Sequence, residues 1–214
     1  MDAVFARLQT VRSLPPTDDP DARRRELTDI LRRQAGYSGA YFMVSGPTAV
    51  RALLTLWATE EDARAASDRT RAAYDGTPPP VTIDEDVVYE VVEDEAGPDA
   101  GADATIAAVA AFDGPFSDAG RAAMDRIHRR HVIPALRALP GTVRGLFLWD
   151  HLSRSMRGLH LATDARPLDA ARAAVEATDP AAGEDPALVS PPDRVERWAV
   201  GGADVPLTDA SARP

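Results

Sequence analysis

The same order of elements is written twice in this chain, and a sequence that repeats itself at this scale must fold into a doubled architecture. In the first copy Ala40 to Val44 and Val50 to Trp57 are short apolar runs suited to strands, and Ser45-Gly46-Pro47 between them supplies the turn that makes a hairpin. Thr59, followed by Glu60, Glu61 and Asp62, then caps a helix and places negative charge over its first turn, where unpaired N–H groups and the helix dipole favour it. The second copy has its hairpin at Thr142 to Asp150 and Met156 to Thr163, around Leu152-Ser153-Arg154-Ser155, with a helix from Pro167 to Ala177. Pairing Gly39 with Gly145, and Leu54-Thr55-Leu56 with Leu159-His160-Leu161, aligns the halves with a one-residue difference in the hairpin turn.

The remaining segments complete each copy. Ala3 to Val11 reads as a first strand, and Thr17-Asp18-Asp19-Pro20 offers a cap and a first-turn proline for a helix reaching Gln34. Leu27, Ile30 and Leu31 share one side of that helix, the Arg residues from Arg23 to Arg33 are a solvated face, and Gly36 ends it. A proline-rich loop, Gly76 to Pro80, precedes a strand from Asp86 to Val92. Thr105 to Phe112 is the corresponding first strand of the second copy, and Ser117 caps a helix reaching Leu139 that Pro134 should kink and Pro140-Gly141 stops. Arg194 to Val200 is its last strand. Each copy is therefore a ferredoxin-like βαββαβ unit, residues 1–93 and 104–200, with 94–103 as an exposed linker and 201–214 as a disordered tail. Such a unit packs two helices on one face of its sheet and leaves the other bare. Ala52 to Trp57 and Ala107 to Phe112 are apolar on both sides of the pleat, so the bare face would expose roughly several hundred Å2 of apolar surface. The expected fold is α+β, the two repeats packed sheet to sheet as a single-chain barrel with helices outside.

Charge and composition exclude several partners. With 34 acidic against 24 basic side chains the formal net charge is −10, so nucleic acid backbones and anionic membranes should be repelled. There is no cysteine, which removes disulfides, thiolate metal sites and cysteine nucleophiles. Every basic side chain is Arg, a bias that fits a GC-rich genome. No basic leader and no long apolar window is present, so a cytoplasmic protein is expected.

The hairpin followed by LTLWATEEDARAA, in which a strand ends in Trp57 and runs into an acidic helix start, resembles the dimeric α+β barrel superfamily, and within it the antibiotic biosynthesis monooxygenase-like domains. PALRALPGTVRGLFLW and GLHLATD in the second copy resemble the same family, with Ala162 where Trp57 stands in the first. The resemblance spans residues 3 to 200 and implies either a monooxygenase of small aromatic or polyketide-like molecules that needs no metal, flavin or other cofactor, or a non-catalytic, ligand-binding or stress-associated barrel. In the monooxygenases a pocket helps remove the substrate's proton, and the resulting anion reacts with dioxygen. The haem-degrading branch is a poorer match: it has a His on the helix after the Trp and an Asn on the first strand, whereas EEDARAASDRTRAAY has no His and the first strand carries Arg7 and Gln9.

Strand alternation nominates side chains for the interior. If Leu54, Leu56, Leu159 and Leu161 pack on helices, then Thr55, Trp57 and His160 point into the barrel. His160, with an ordinary pKa near 6.5, suits the proton acceptor, and Arg7 a stabiliser of the anion. Trp57, Trp198, Thr55, Tyr41 and Trp149 are candidate substrate-binding residues, although alternation does not fix the faces of Tyr41, Phe147 and Trp149. The plainer alternative makes His160 a hydrogen-bonded core residue and Trp57 a packing residue. His128 and His131, one turn apart, could share a metal, but no third ligand is fixed nearby and the Arg neighbours in HRRH oppose a cation, so no metal site is expected. Ser153 and Ser155 lie near His151 without an evident orienting carboxylate, which disfavours a hydrolase triad. The expected partner is a small hydrophobic or aromatic molecule, the chain being a monomeric pseudo-dimer whose further association as a homodimer is left open.

Overall fold

The computed structural model describes residues 5–13, 19–45, 50–74, 81–176 and 183–205. The first copy is β1 (Phe5–Ser13), α1 (Pro20–Arg32), β2 (Tyr37–Ser45), β3 (Val50–Trp57), α2 (Glu60–Tyr74) and β4 (Val81–Ala96). The second is β5 (Ile106–Phe112), α3 (Asp118–Ile127), α4 (Ile133–Ala138), β6 (Thr142–Asp150), β7 (Ser155–Ala162), α5 (Ala165–Glu176) and β8 (Arg194–Asp204). All strand pairs described are antiparallel, and the hydrogen-bonded order β1-β3-β2-β8-β5-β7-β6-β4 closes on itself. No helix among the described residues is long and apolar enough to cross a membrane.

Local chemistry sets the element ends. Asp19 accepts from Ala22 N, Thr59 Oγ1 from Asp62 N, and Ser117 from Gly120 N, each satisfying an N–H that has no partner inside its helix. Pro134 cannot donate to the carbonyl one turn back, and a π-helical turn, His128–Val132, lies between α3 and α4. The hairpin turn at 46–49, the loop at 75–80 and residues 206–214 lie outside the described residues.

Contacts divide the chain into two units, one built on Met1–Val91 with Trp198–Pro206, the other on Val92–Arg197. The division falls inside β4 and inside β8, which corrects two expectations. The first part of the expected exposed linker, Glu93 to Ala96, is strand: β4 continues to Ala96, Glu93, Asp94 and Glu95 pair with Arg129, Arg144 and Arg137, and Gly97 N donates to Val143 O at 3.0 Å. Its acidic composition reflects ion pairing along a strand, not solvation of a coil. Gly201 to Asp204 is likewise strand, paired with β2 and held by Asp204, which accepts from Arg32 and from Tyr37 Oη.

The faces are also the reverse of those expected. Trp57 packs with Leu31 of α1 and with Ala63 and Ala66 of α2, so the face carrying Leu53, Thr55 and Trp57 is the helix side of the first unit. In the second, Phe147, Trp149 and Met156 pack on Met124 and Ile127 of α3, and a Cβ on Gly145 would run into Leu136 of α4; His160, in register with Gly145, is on that same side. The leucines at 54, 56, 159 and 161 face the other way and are 0–4% exposed. A closed sheet excludes water from that face, which suits the leucines there.

Candidate functional site

The residues nominated from the sequence do not converge. Arg7, Thr55 and Trp57 lie under α2 in the first unit; Tyr41 and Trp198 are on the opposite face of that unit's sheet; Trp149 and His160 are on the helix side of the second unit.

The helix side of the first unit is filled. Arg7 forms a bidentate pair with Asp86 at 2.6 and 3.0 Å and donates to Thr70 Oγ1 at 3.1 Å, while Ser67 Oγ donates to Asp86 at 3.1 Å. The Arg7 and Asp86 side chains are 4% and 7% exposed, so the guanidinium is neutralised where it stands. Trp57 Nε1 donates to Thr55 Oγ1 at 2.8 Å, which satisfies both residues within the core. Trp198 is buried with its Nε1 lacking a hydrogen-bond partner among the described residues, and Tyr41 is buried on the same face.

The corresponding space in the second unit is built differently. Register places Thr55 opposite Arg7 and Leu53 opposite Gln9 in the first copy, and His160 opposite Ala108 and Gly158 opposite Ala110 in the second. On the other flank Phe42 faces Leu53 and Phe147 faces Gly158. Arg7, Gln9 and Leu53 are thus replaced by two alanines and a glycine, and Thr55 by His160. That leaves about eleven fewer non-hydrogen side-chain atoms in a layer that is otherwise close-packed. Among the described residues a Cβ on Gly158 would touch only Ala110 Cβ, at 3.8 Å. Ala108, Ala110, Gly158 and His160 are all partly exposed, whereas their neighbours Ala107, Val109, Ala111, Leu159 and Leu161 are buried. These four side-chain positions thus keep some solvent exposure on the face that α5 packs against.

His160 stands at one end of that space. Its Nε2 is 3.2 Å from Thr142 Oγ1, and it has no other polar partner among the described residues. Burial pushes its pKa down to about 4, so the imidazole is neutral at pH 7. Phe147 forms a wall, with His128 from the π-helical turn stacked on it at 4.2 Å and 18°; burial first, and the nearby Arg129 charge second, lower the His128 pKa to about 4. Arg121 lies 4.5 Å over the Trp149 ring beyond. α5, whose Leu168 and Ala171 are buried, lies against β5 and β7 as a roof.

Arg157 escaped the sequence reading. In phase with Leu159 and Leu161, it is 7% exposed on the leucine face, donating to Met156 O at 2.9 Å and paired with Asp113 at 3.2 Å. The serine cluster does have a carboxylate, since Asp150 accepts from Ser153 Oγ and from the Leu152 and Ser153 N–H groups, but that geometry closes the hairpin turn. No group of three or more potential metal ligands occurs among the described residues, and α2 carries no His for a haem iron.

No protein-family model matches the chain, and no curated protein matches it in sequence. Solved structures do match in fold. A candidate monooxygenase from Fusobacterium nucleatum superposes with a TM-score of 0.65 at 12% identity, covering 96% of each chain. A double mutant of the chlorite dismutase from Candidatus Nitrospira defluvii gives 0.57 at 11% identity, covering 95% of this chain and 92% of that one. An uncharacterised ferredoxin-fold protein from Listeria monocytogenes, related to antibiotic biosynthesis monooxygenases, gives 0.53 at 8% identity over 94% and 95%. With two ferredoxin-like copies in register and one closed eight-stranded sheet, the chain has a pseudo-dimeric α+β barrel fold like that of these structures, both halves contained in a single polypeptide.

Proposed function

We propose that the protein is a cofactor-independent monooxygenase acting on a small aromatic or polyketide-like molecule, and that its site is the helix side of the second copy. The observation that carries this reading is His160, a neutral imidazole at the edge of an open floor of Ala108, Ala110 and Gly158. With Nε2–H donating to Thr142 Oγ1, the ring's orientation is fixed and Nδ1 is the proton acceptor offered to a substrate. Proton transfer from an acidic C–H or O–H to His160 leaves an electron-rich anion. That anion reduces dioxygen and forms a C–O bond; loss of water then leaves a carbonyl, one oxygen atom ending in the product and the other in water. Phe147 with its stacked His128 supplies an aromatic wall. Since His160 must be neutral, kcat/KM should hold from pH 7 down to about 5 and fall only as pH approaches 4.

The test is a binding screen of polyphenols and anthrone-type aromatics by quenching of tryptophan fluorescence, followed by oxygen uptake with each hit. Uptake that His160→Gln removes while binding persists supports the reading. Binding without uptake in the wild type makes the chain a ligand-binding barrel instead.

A further inference from the structure

Gly158 occupies the middle of an inner strand, flanked by β5 and β6, which is a costly place for glycine: it loses the most backbone entropy on folding and packs nothing. Its backbone does not require it, because it is not among the glycines with positive φ. Close packing does not require it either. Gly145 next door does keep Leu136 in place, whereas a Cβ on Gly158 meets one methyl at ordinary van der Waals distance. Gly158 thus leaves bare strand backbone, with Ala110 Cβ alone among the described atoms within 4 Å of where a first side-chain atom would stand. Leu53 holds the equivalent position in the first copy and packs into the cluster around Trp57.

Resting on the reading of the site above, we propose that Gly158 is its specificity-determining residue. The missing side chain is the seat for one face of a planar ring, whose edge then points at His160 and whose flank meets Phe147. The same position filled by Leu53, beside the Arg7–Asp86 pair, closes the first copy, so each chain takes one ring and not two.

Anthrone is the probe, titrated calorimetrically into the wild type, Gly158→Ala, Gly158→Leu and His160→Gln, with melting temperature and oxygen uptake measured on each. The wild type should bind one anthrone per chain. Gly158→Ala should weaken binding at least tenfold and Gly158→Leu abolish it, neither lowering the melting temperature, because the alanine methyl meets Ala110 Cβ at ordinary van der Waals distance and both residues suit a strand better than glycine. His160→Gln should bind as the wild type does and consume no oxygen. Two anthrones per chain, or a wild-type Kd in folded Gly158→Ala, overturns the role of Gly158 while leaving the site standing. A wild type that neither binds anthrone nor consumes oxygen with it overturns the site reading and the recess together.

Discussion

Burial alone moves the His160 pKa, and burial is the leading cause at His128, so neither imidazole has a carboxylate to hold its proton. Both are harder to protonate folded than unfolded. Between pH 6.5 and about 4 the unfolded chain therefore binds more protons, and stability rises with pH across that window, complete above 6.5. Each histidine should contribute a loss on the order of 2–3 kcal/mol by pH 4. Urea midpoints measured from pH 7 to 4 should shift less in His128→Phe and in His160→Gln than in the wild type. Arg7 makes the opposite point about a residue that looked catalytic. Removing it as Arg7→Met strands Asp86 in the core and should cost about 3–5 kcal/mol in urea denaturation. The Arg7→Met, Asp86→Leu double variant should recover most of that loss; no recovery would mean the pair does more than neutralise itself. A guanidinium on the first strand was legible in the sequence, but its partner lay 79 positions away, and strand alternation is silent about such pairings.

Elements were easier to read than faces. The caps at Asp19, Thr59 and Ser117 and the two hairpins follow from local chemistry, and so does their order. The assignment of faces failed because leucines and a Trp–Thr–His set are both plausible linings, and only packing decides between them. Here the rows at 53–57 and 156–162 turn their aromatics and histidine to the helices, since α1 and α2 cover Trp57 and α3 covers Phe147. The floor of the site was also present in the sequence, in the exchange of Arg7, Gln9 and Leu53 for Ala108, Ala110 and Gly158, but it emerges only when the copies are laid in strand register. Gly145 and Gly158 should respond in opposite ways to an added methyl. Gly145→Ala drives into Leu136 and should cost about 1–3 kcal/mol, against no loss for Gly158→Ala, by thermal melts of the two variants.

At the scale of the molecule the doubling was legible from the recurrence of elements, whereas the reach of the fourth strands was not. β4 and β8 run to 16 and 11 residues because Glu93, Asp94 and Glu95 on one and Asp204 on the other find Arg partners beyond the first strand they pair with. Ending the chain at Val200 would remove the residues opposite Ala40 to Phe42 and leave part of β2 as an uncovered edge. Light scattering after size-exclusion chromatography should then show more association than the full chain does.

The contrast between Leu53 and Gly158 also bears on how such a protein can change. In a symmetric dimer every substitution is made twice, so hollowing out one site hollows out its twin and the stability loss is doubled. A fused chain escapes that symmetry. One half can keep its packed core and its buried ion pair as a reserve of stability, while the other sheds side chains and acquires new chemistry without the whole falling below the threshold for folding. The half that has kept its bulk is what lets the other be pared down.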